Sequence, residues 1–504
     1  FGEGRDGRRM NRRTNVSQYS ADIGASASFA PTARLTSRTS VGGQYNGRLL
    51  QLTGSSGTNL TPGSETVTGA AVITGEEQTV NTVVAGSYVE QMIGVDDRLF
   101  LTAALRADGG SAFGRDFQTA IYPKASASWI VAEQRDGWLN SARLRAAYGA
   151  SGVQPATTAA LALVTVAPAF VDGTAASGAR LGAIGNPDLR PERQTELETG
   201  ADLELWHGRV RVEATYYNRL SHDALINRPL SSEFGIVARQ ENIGSVRNRG
   251  VEGLLSVTAI DNPSVRWNVS LNGSVNHNRL EQIGAGIPFI GPNPASRSRE
   301  GYPLVSAFAR PILGYADANH NGIIEESEVT VGDTAVFLGP KLPPRQLTAA
   351  SSLALLHGRL RLSTQFDYRG GHKITNYSEA NRCSLFLGDC RAVNDPTTPL
   401  DAQANAVALN SGLLGYTLFG YTEDASFTRW RELSVSYTLP DLVAHGLRAR
   451  SASVMLTGRN LHLFTRYTGI DPETNDALGL VEGYGGNPTA PPARYWLLRV
   501  NLGL

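Results

Sequence analysis

The chain is short of lysine. Only Lys124, Lys341 and Lys373 stand among 46 basic residues, so nearly all positive charge is arginine, a skew that reflects coding bias more than fold. It has no excess of charge: 46 acidic residues balance the 46 basic ones. Nothing in that balance argues for a nucleic-acid partner, and none is expected. It has no run of 18 apolar residues. The nearest, AALALVTVAPAFV from Ala159, is broken by Thr165 and Pro168, so no transmembrane helix is expected. A membrane β-barrel stays open, because it hides its apolar surface in an alternation that a running average flattens. Phe1 opens the chain and no signal peptide is visible, which is silent about compartment.

Catalytic signatures are also missing. There is no G-x-S-x-G, no P-loop and no H-E-x-x-H, and the eight histidines are scattered. Ser221-His222-Asp223 reads as a triad only on paper. Adjacent strand residues point to opposite faces, so three neighbours cannot converge. His207 and His357 lie in short turns, where solvation is expected. The chain is therefore not expected to be an enzyme. Cysteine is limited to Cys383 and Cys390, in CSLFLGDC. One close pair suggests a local disulfide formed in an oxidising compartment; two unrelated thiols are the plainer reading.

What is present is alternation, along the whole chain. In RVRVEATYYN, Val210, Val212, Ala214 and Tyr216 oppose Arg211, Glu213, Thr215 and Tyr217. In VRWNVSLNGSVN, Val265, Trp267, Val269, Leu271 and Val275 oppose a row of Asn and Ser. Leu360, Leu362, Phe366 and Tyr368 oppose Arg361, Ser363, Gln365 and Asp367, and the last segment sets Trp496, Leu498, Val500, Leu502 and Leu504 against Arg499 and Asn501. In TELETGADLEL the polar face is charged over a span of about ten residues, the length a tilted strand needs to cross a bilayer. One strand alone does not separate an apolar-out barrel from an apolar-in sandwich. Connections separate them.

The connections alternate in length. FAPTA, VDDR, WHGR, DNPS and LHGR are short turns, with slightly longer ones near 133–141 and 440–448. Between them stand Gly-, Asn- and Pro-rich stretches expected as loops over 47–81, 109–120, 153–194, 223–243, 281–345, 371–424 and 465–491. Short turns on one side and long loops on the other mark an outer-membrane barrel, whereas structureless loops of this length count against a compact soluble domain. About fifteen strands are expected, the first near 20–30. An odd count, with the first strand running from the loop side, implies a chain that opens inside an extracellular loop containing FGEGRDGRRMNRR. The expectation is thus the C-terminal part of a longer, even-stranded barrel. Tyr216, Trp267, Tyr368, Tyr437 and Trp496, near strand ends, suit interface girdles. Loop aromatics such as Tyr467 and Tyr484 suit stacking on sugar rings or ordinary loop packing.

Several stretches resemble one family. GNPDLRPERQTELETGADLELWHGRVRVEATYYN resembles the N-P-x-L-x-P-E segment and following hairpin of TonB-dependent outer-membrane receptors, and NIGSVRNRGVEG resembles their N-x-G-x-x-x-N-R-G-V-E strand. SFTRWRELSVSYTLP, GRNLHLFTRYTGIDPE and GYADANHNGIIEESE are similar to the SusC/RagA subfamily of nutrient importers. The matches run in the expected order from about Tyr88 to Leu504. The resemblance implies an all-β, antiparallel transmembrane barrel of about 22 strands with a plugged lumen. It implies uptake of glycan or peptide oligomers with energy from the TonB complex, a SusD-like surface lipoprotein as partner, and outer-membrane lipid as surroundings. On this resemblance the plug, the TonB-contacting box and the first strands are expected to lie outside this chain. A passive porin is the alternative.

One motif stands apart. DANHNGIIEESE, Asp317 to Glu328, matches the calcium-loop pattern at every fixed position. Asp317, Asn319 and Asn321 would offer side-chain oxygens, Ile323 its carbonyl, Glu325 a direct or water-borne contact, and Glu328 a bidentate carboxylate. FARPILGY before it and VTVGDTAVFLGP after it do not read as helices, so a soluble EF-hand sensor is the weaker reading. A single Ca²⁺ in an extracellular loop is one expectation; Asp and Asn satisfying turn amides is the other.

Overall fold

The computed structural model describes residues 7–111, 119–134, 137–155, 158–171, 174–230, 238–293, 296–411, 417–473 and 491–503. Among them, fifteen strands make one sheet whose hydrogen-bonded order follows chain order throughout. They are β1 (Gly7–Thr32), β2 (Leu35–Leu60), β3 (Ala70–Val95), β4 (Leu99–Gly110), β5 (Ala120–Glu133), β6 (Leu139–Val153), β7 (Glu192–Leu205) and β8 (Val210–Pro229). The series continues with β9 (Ala238–Asp261), β10 (Val265–Gln282), β11 (Arg345–Leu355), β12 (Leu360–Gly370), β13 (Phe427–Thr438), β14 (Ser451–Thr465) and β15 (Tyr495–Gly503). The pairings of β1 through β4 and of β9 through β15 are antiparallel, as short hairpin turns require. No helix among the described residues is long and apolar enough to cross a membrane.

By backbone proximity the chain falls into two compact units. One comprises Phe1–Ser128, Ala147–Glu196 and Ser221–Gly244, the other Trp129–Ala146, Leu197–Leu220 and Ser245–Leu504. The first is built on the long hairpins β1–β2 and β2–β3. The second carries β10 to β15 and nearly all the structured loop regions.

The turns show why the strands end where they do. Asp96 and Asp97 both take positive φ, +52° and +53°, the pairing of a type I′ turn, whose twist matches that of the flanking strands. In WHGR and LHGR the same backbone recurs: φ is +50°, +60° and +76° at Trp206, His207 and Gly208, and +54°, +58° and +83° at Leu356, His357 and Gly358. Glycine closes each run because a third left-handed residue with a Cβ would add strain. In DNPS, Asn262 Oδ1 accepts from the amides of Ser264 (3.0 Å) and Val265 (2.8 Å), a side chain imitating a backbone turn. His207 and His357 are both exposed here.

The faces of the sheet are inverted relative to a soluble protein. Val251 is 52% and Val275 54% exposed, and they are direct cross-strand partners. Leu101, Leu105, Leu498, Val500, Trp267 and Trp496 are exposed too. The opposite face carries paired polar groups: Arg145 with Asp202 at 3.1 Å, Thr348 with Asp367 at 3.0 Å, Ser434 with Thr457 at 3.1 Å. A sheet that shows its apolar rows and pairs its polar ones suits a lipid surround and a polar interior.

Some expected boundaries are corrected. The stretch 47–81 is mostly strand: β2 runs to Leu60 and β3 starts at Ala70, so residues 61–69 alone connect them. Gly7–Arg13 belongs to β1, paired with Thr53–Leu60, and is no loop. β8 and β9 likewise reach into 223–243. The reason is that a ladder hydrogen bond needs only a neighbouring strand. Where Ser, Thr and Gly replace apolar residues, pairing continues though the cue for a bilayer crossing has stopped. The stretch 153–194 contains a hairpin, Leu163–Val171 with Thr174–Ala183. The stretches 281–345 and 371–424 are folded in their own right, as described next. Residues 112–118 of the stretch 109–120, and 474–490 of the stretch 465–491, which holds Tyr484, lie outside the described residues.

Candidate functional site

The described residues of three connections of the second unit pack against one another: those within 283–344 between β10 and β11, within 371–426 between β12 and β13, and 466–473 after β14. Here apolar residues are buried. Ile324, Val329, Ala404 and Ala408 form one cluster, with Ile312, Val331 and Val407 against it. Ala380, Cys383, Cys390, Ala406, Leu409, Leu418 and Tyr421 form a second, and Ile374, Ala425 and Tyr467 a third. Tyr467 is thus packed in the core of the layer.

The helices here follow local signals. α1 (Tyr377–Leu385) starts at Asn376, whose side chain accepts from the Glu379 amide, a standard N-cap. A short turn α2 (Arg391–Asn394) leads to α3 (Leu400–Asn410), where Ala404, Ala406 and Ala408 are fully buried. Cys383 and Cys390 are joined as a disulfide that ties the end of α1 to the start of α2. Leu385 and Phe386, inside the closed ring, stay exposed at 71% and 61%.

The 317–328 loop sits on α3. Its stem is a hairpin, Ile312–Tyr315 with Val329–Val331, preceded on the downstream side by one 3-10 turn, Glu326–Glu328. Strands therefore flank it, and the helix pair of a calcium sensor is absent at this loop. Asp317 accepts from the amides of Asn321 (3.0 Å) and Gly322 (2.9 Å); Asn319 Oδ1 accepts from Asn321 and Asn321 Oδ1 from Ile323. Asn321 Nδ2 donates to Glu325 at 3.2 Å. Glu328 accepts from Ala318, Asn319 and Glu325. The Glu325 amide first, then those of Ala318 and Asn319, outweigh desolvation and the nearby Asp317, and hold Glu328 below the usual carboxylate range. Ile323 is exposed. All six residues of the pattern share this one loop, yet no three His, Cys, Asp or Glu side chains among the described residues gather as a metal cluster. Gln403, fully buried, fastens the loop: its Oε1 accepts from Ile324 (2.9 Å) and its Nε2 donates to Gly322 O (3.2 Å).

The layer is fixed to the strands by charge. Arg429, on β13 and 4% exposed, holds Asp471 through two contacts of 2.7 and 2.6 Å. Its Nε lies 2.9 Å from Glu473 Oε2, out of hydrogen-bond alignment. Arg431 holds both Glu473 and Asp367. Burial raises Glu473 and the arginines lower it, Arg431 most; the net is below the usual range. Glu423 gathers Asn376 and Thr468, joining the second and third connections. His372 is 3% exposed, its Nδ1 has no partner among the described residues, and burial pushes it down to about 4.

One site matches the reading of residues alone and one departs from it. Ser221 donates to Gln194 at 3.4 Å while His222 pairs with Asp223 at 3.2 Å, so the apparent triad is not assembled. The Arg429–Asp471–Glu473–Arg431 cluster has no sequence signal, because its partners are about 40 residues apart and each charge alone reads as solvated.

Comparison with known proteins agrees with this geometry. Residues 1–461 match the family model described as TonB dependent receptor-like, beta-barrel. TonB-dependent receptor P26 of Formosa agariphila is 26% identical over 424 residues, 75% of this chain and 41% of that protein. TonB-dependent receptor SusC of Bacteroides thetaiotaomicron is 24% identical over 447 residues, 81% and 42% of the two. In the structure of the RagAB peptide transporter the fold recurs with a TM-score of 0.81 at 21% identity, over 99% of this chain and 56% of that one. The chain thus spans about half the length of the relatives it matches. With its apolar rows exposed, its strands in chain order and these matches, the chain belongs to the TonB-dependent receptor β-barrel family and is a protein of the bacterial outer membrane.

Proposed function

We propose that this chain is the greater part of the barrel of an active importer that takes glycan or peptide oligomers across the outer membrane. The observation that carries the reading is the family barrel joined to a folded loop layer. Loops with their own hydrophobic core and disulfide are a rigid receiving surface, and rigidity lowers the entropy cost of capture. In a longer protein the sheet closes at about 22 strands around a plug, and the TonB complex acts through that plug. The exposure of β1 along all 26 residues supports neighbours beyond it. A SusD-like lipoprotein covers the loop side. That one solved relative is a peptide transporter supports the peptide class. No covalent chemistry is part of this function.

The test is uptake of a fluorescent oligomer by cells carrying the whole gene, with and without TonB. Periplasmic signal is expected only with TonB; equal signal without it would make the protein a passive porin.

The loop 317–328 takes one Ca²⁺ within this reading. Mixed carboxylate, amide and carbonyl oxygens suit that ion, and Asn319 and Asn321 in place of acids keep the affinity weak. Calcium is expected to slow proteolysis of the loop in the wild type and to have no effect in Asp317→Ala.

A further inference from the structure

A short helix, α4 (Asp441–Gly446), lies in the turn between β13 and β14. Its apolar residues face the wrong way for a protein in water. Ala444 is fully buried, while Leu442, Val443 and Leu447 stand 86%, 44% and 51% exposed. Ala452, where α4 packs on β14, is 1% exposed. It is the direct partner of Leu502 in the exposed apolar row. Direct partners share a face, so the helix lies on the outward side of the strand end.

Charge stands beside these apolar groups. Arg448 and Arg450 follow the helix. Arg359 is brought next to them, because its carbonyl accepts from the Thr438 amide at 2.8 Å. All three arginines are exposed, and none holds an ion pair with another described residue. Arg448 takes φ +56° just past the helix end, where glycine is the usual residue. The single acidic residue of 440–450 is Asp441, in the first helical turn, where the helix dipole favours it.

Exposed leucines beside unpaired arginines suit a membrane surface with anionic headgroups. The leucines enter the acyl boundary, and guanidinium groups take phosphate oxygens in bidentate pairs. The patch continues the apolar rows that face lipid, and the short-turn end of an outer-membrane barrel is its periplasmic end. A free anion would use the arginines and leave the leucines in water.

We propose that α4 and the arginines around it are an anchor that binds a phospholipid with an anionic headgroup in the periplasmic leaflet. Leu442 and Leu447 reach the acyl boundary, and Arg448, Arg450 and Arg359 take the phosphate. The anchor goes beyond the import reading and does not depend on it.

The experiment is native mass spectrometry of the full-length receptor in detergent. The probes are phosphatidylglycerol, phosphatidylcholine of the same chains, and inorganic phosphate. The tightest phosphatidylglycerol adduct is expected to bind roughly tenfold or more tighter than phosphatidylcholine. An arginine near an anionic surface strengthens binding roughly fivefold, so Arg448→Gln with Arg450→Gln should weaken that adduct roughly twentyfold and leave phosphatidylcholine unchanged. Leu442→Ser with Leu447→Ser should weaken both lipids, roughly tenfold or more. All four residues are exposed, and heat-modifiable gel migration should stay normal; the comparison of the two lipids on the wild type needs no variant. Equal affinity for the two lipids, or wild-type affinity in either double variant, would overturn the anchor and leave the helix to a periplasmic protein. Displacement of the lipid by inorganic phosphate at matched concentration would overturn it in favour of a free-anion site. None of these outcomes touches TonB-dependent uptake.

Discussion

The strands and the loop layer use their apolar residues in opposite ways. On β9 and β10, Val251 and Val275 stand exposed; in the loops, Ile324, Val329, Leu409 and Leu418 are 2–5% exposed. The difference follows from solvent. In lipid there is no gain from hiding an aliphatic side chain, so cohesion comes from a complete hydrogen-bond ladder and from polar pairs on the far face. In water the loops gain by burial, and they add a disulfide and buried ion pairs. One chain thus contains two folding regimes, and the charged cluster at Arg429 is where the layer is tied to strand β13.

That comparison breaks most sharply at the tie. Arg429→Ala leaves Asp471 buried without its partner and should destabilise the layer by about 3–5 kcal/mol. Limited proteolysis should then cut near 466–473, while heat-modifiable migration, which reports the strands, stays normal. Loss of both would mean the two regimes are one cooperative unit.

The next largest effect belongs to the lipid face. Val251→Arg should cost about 2–4 kcal/mol if the residue lies near mid-bilayer, read as a lower urea midpoint for folding into vesicles. The same substitution at an exposed loop residue such as Leu385 should cost little, since that position already faces water. A neutral Val251→Arg would remove the argument for an outward apolar face.

The smallest effect concerns pH. His372 is held to about 4 by burial, below its ordinary 6.5. The unfolded state therefore takes up a proton that the folded state refuses between those values, so the contribution is complete above 6.5 and is lost as pH falls to about 4. Proteolysis of the 371–426 segment should rise over that window, and His372→Leu should flatten the rise. An unchanged profile would assign the acid sensitivity elsewhere.

How much of this was legible beforehand differs by region. Alternating rows such as Val265 to Val275 are local and strictly periodic, and they read directly as strands. Short turns such as LHGR read as directly, because His-Gly after an apolar residue suits a left-handed run. The extension of β2 to Leu60 was not legible: Ser, Thr and Gly there pair because β1 and β3 lie alongside, which is a property of neighbours. The match of Asp317–Glu328 to a calcium pattern was legible, but its seating on Gln403 was not, since about 80 residues separate the partners.

The sequence by itself therefore determined the period-two faces, the turn chemistry, the family and the absence of a crossing helix, all of which depend on residues within a few positions of one another. The tertiary structure decided how far each strand pairs, that successive loops bury apolar residues against one another, and that Arg429 meets Asp471. Those outcomes depend on which distant segments are brought together, and a burial or an ion pair gains its energy only once both sides have arrived.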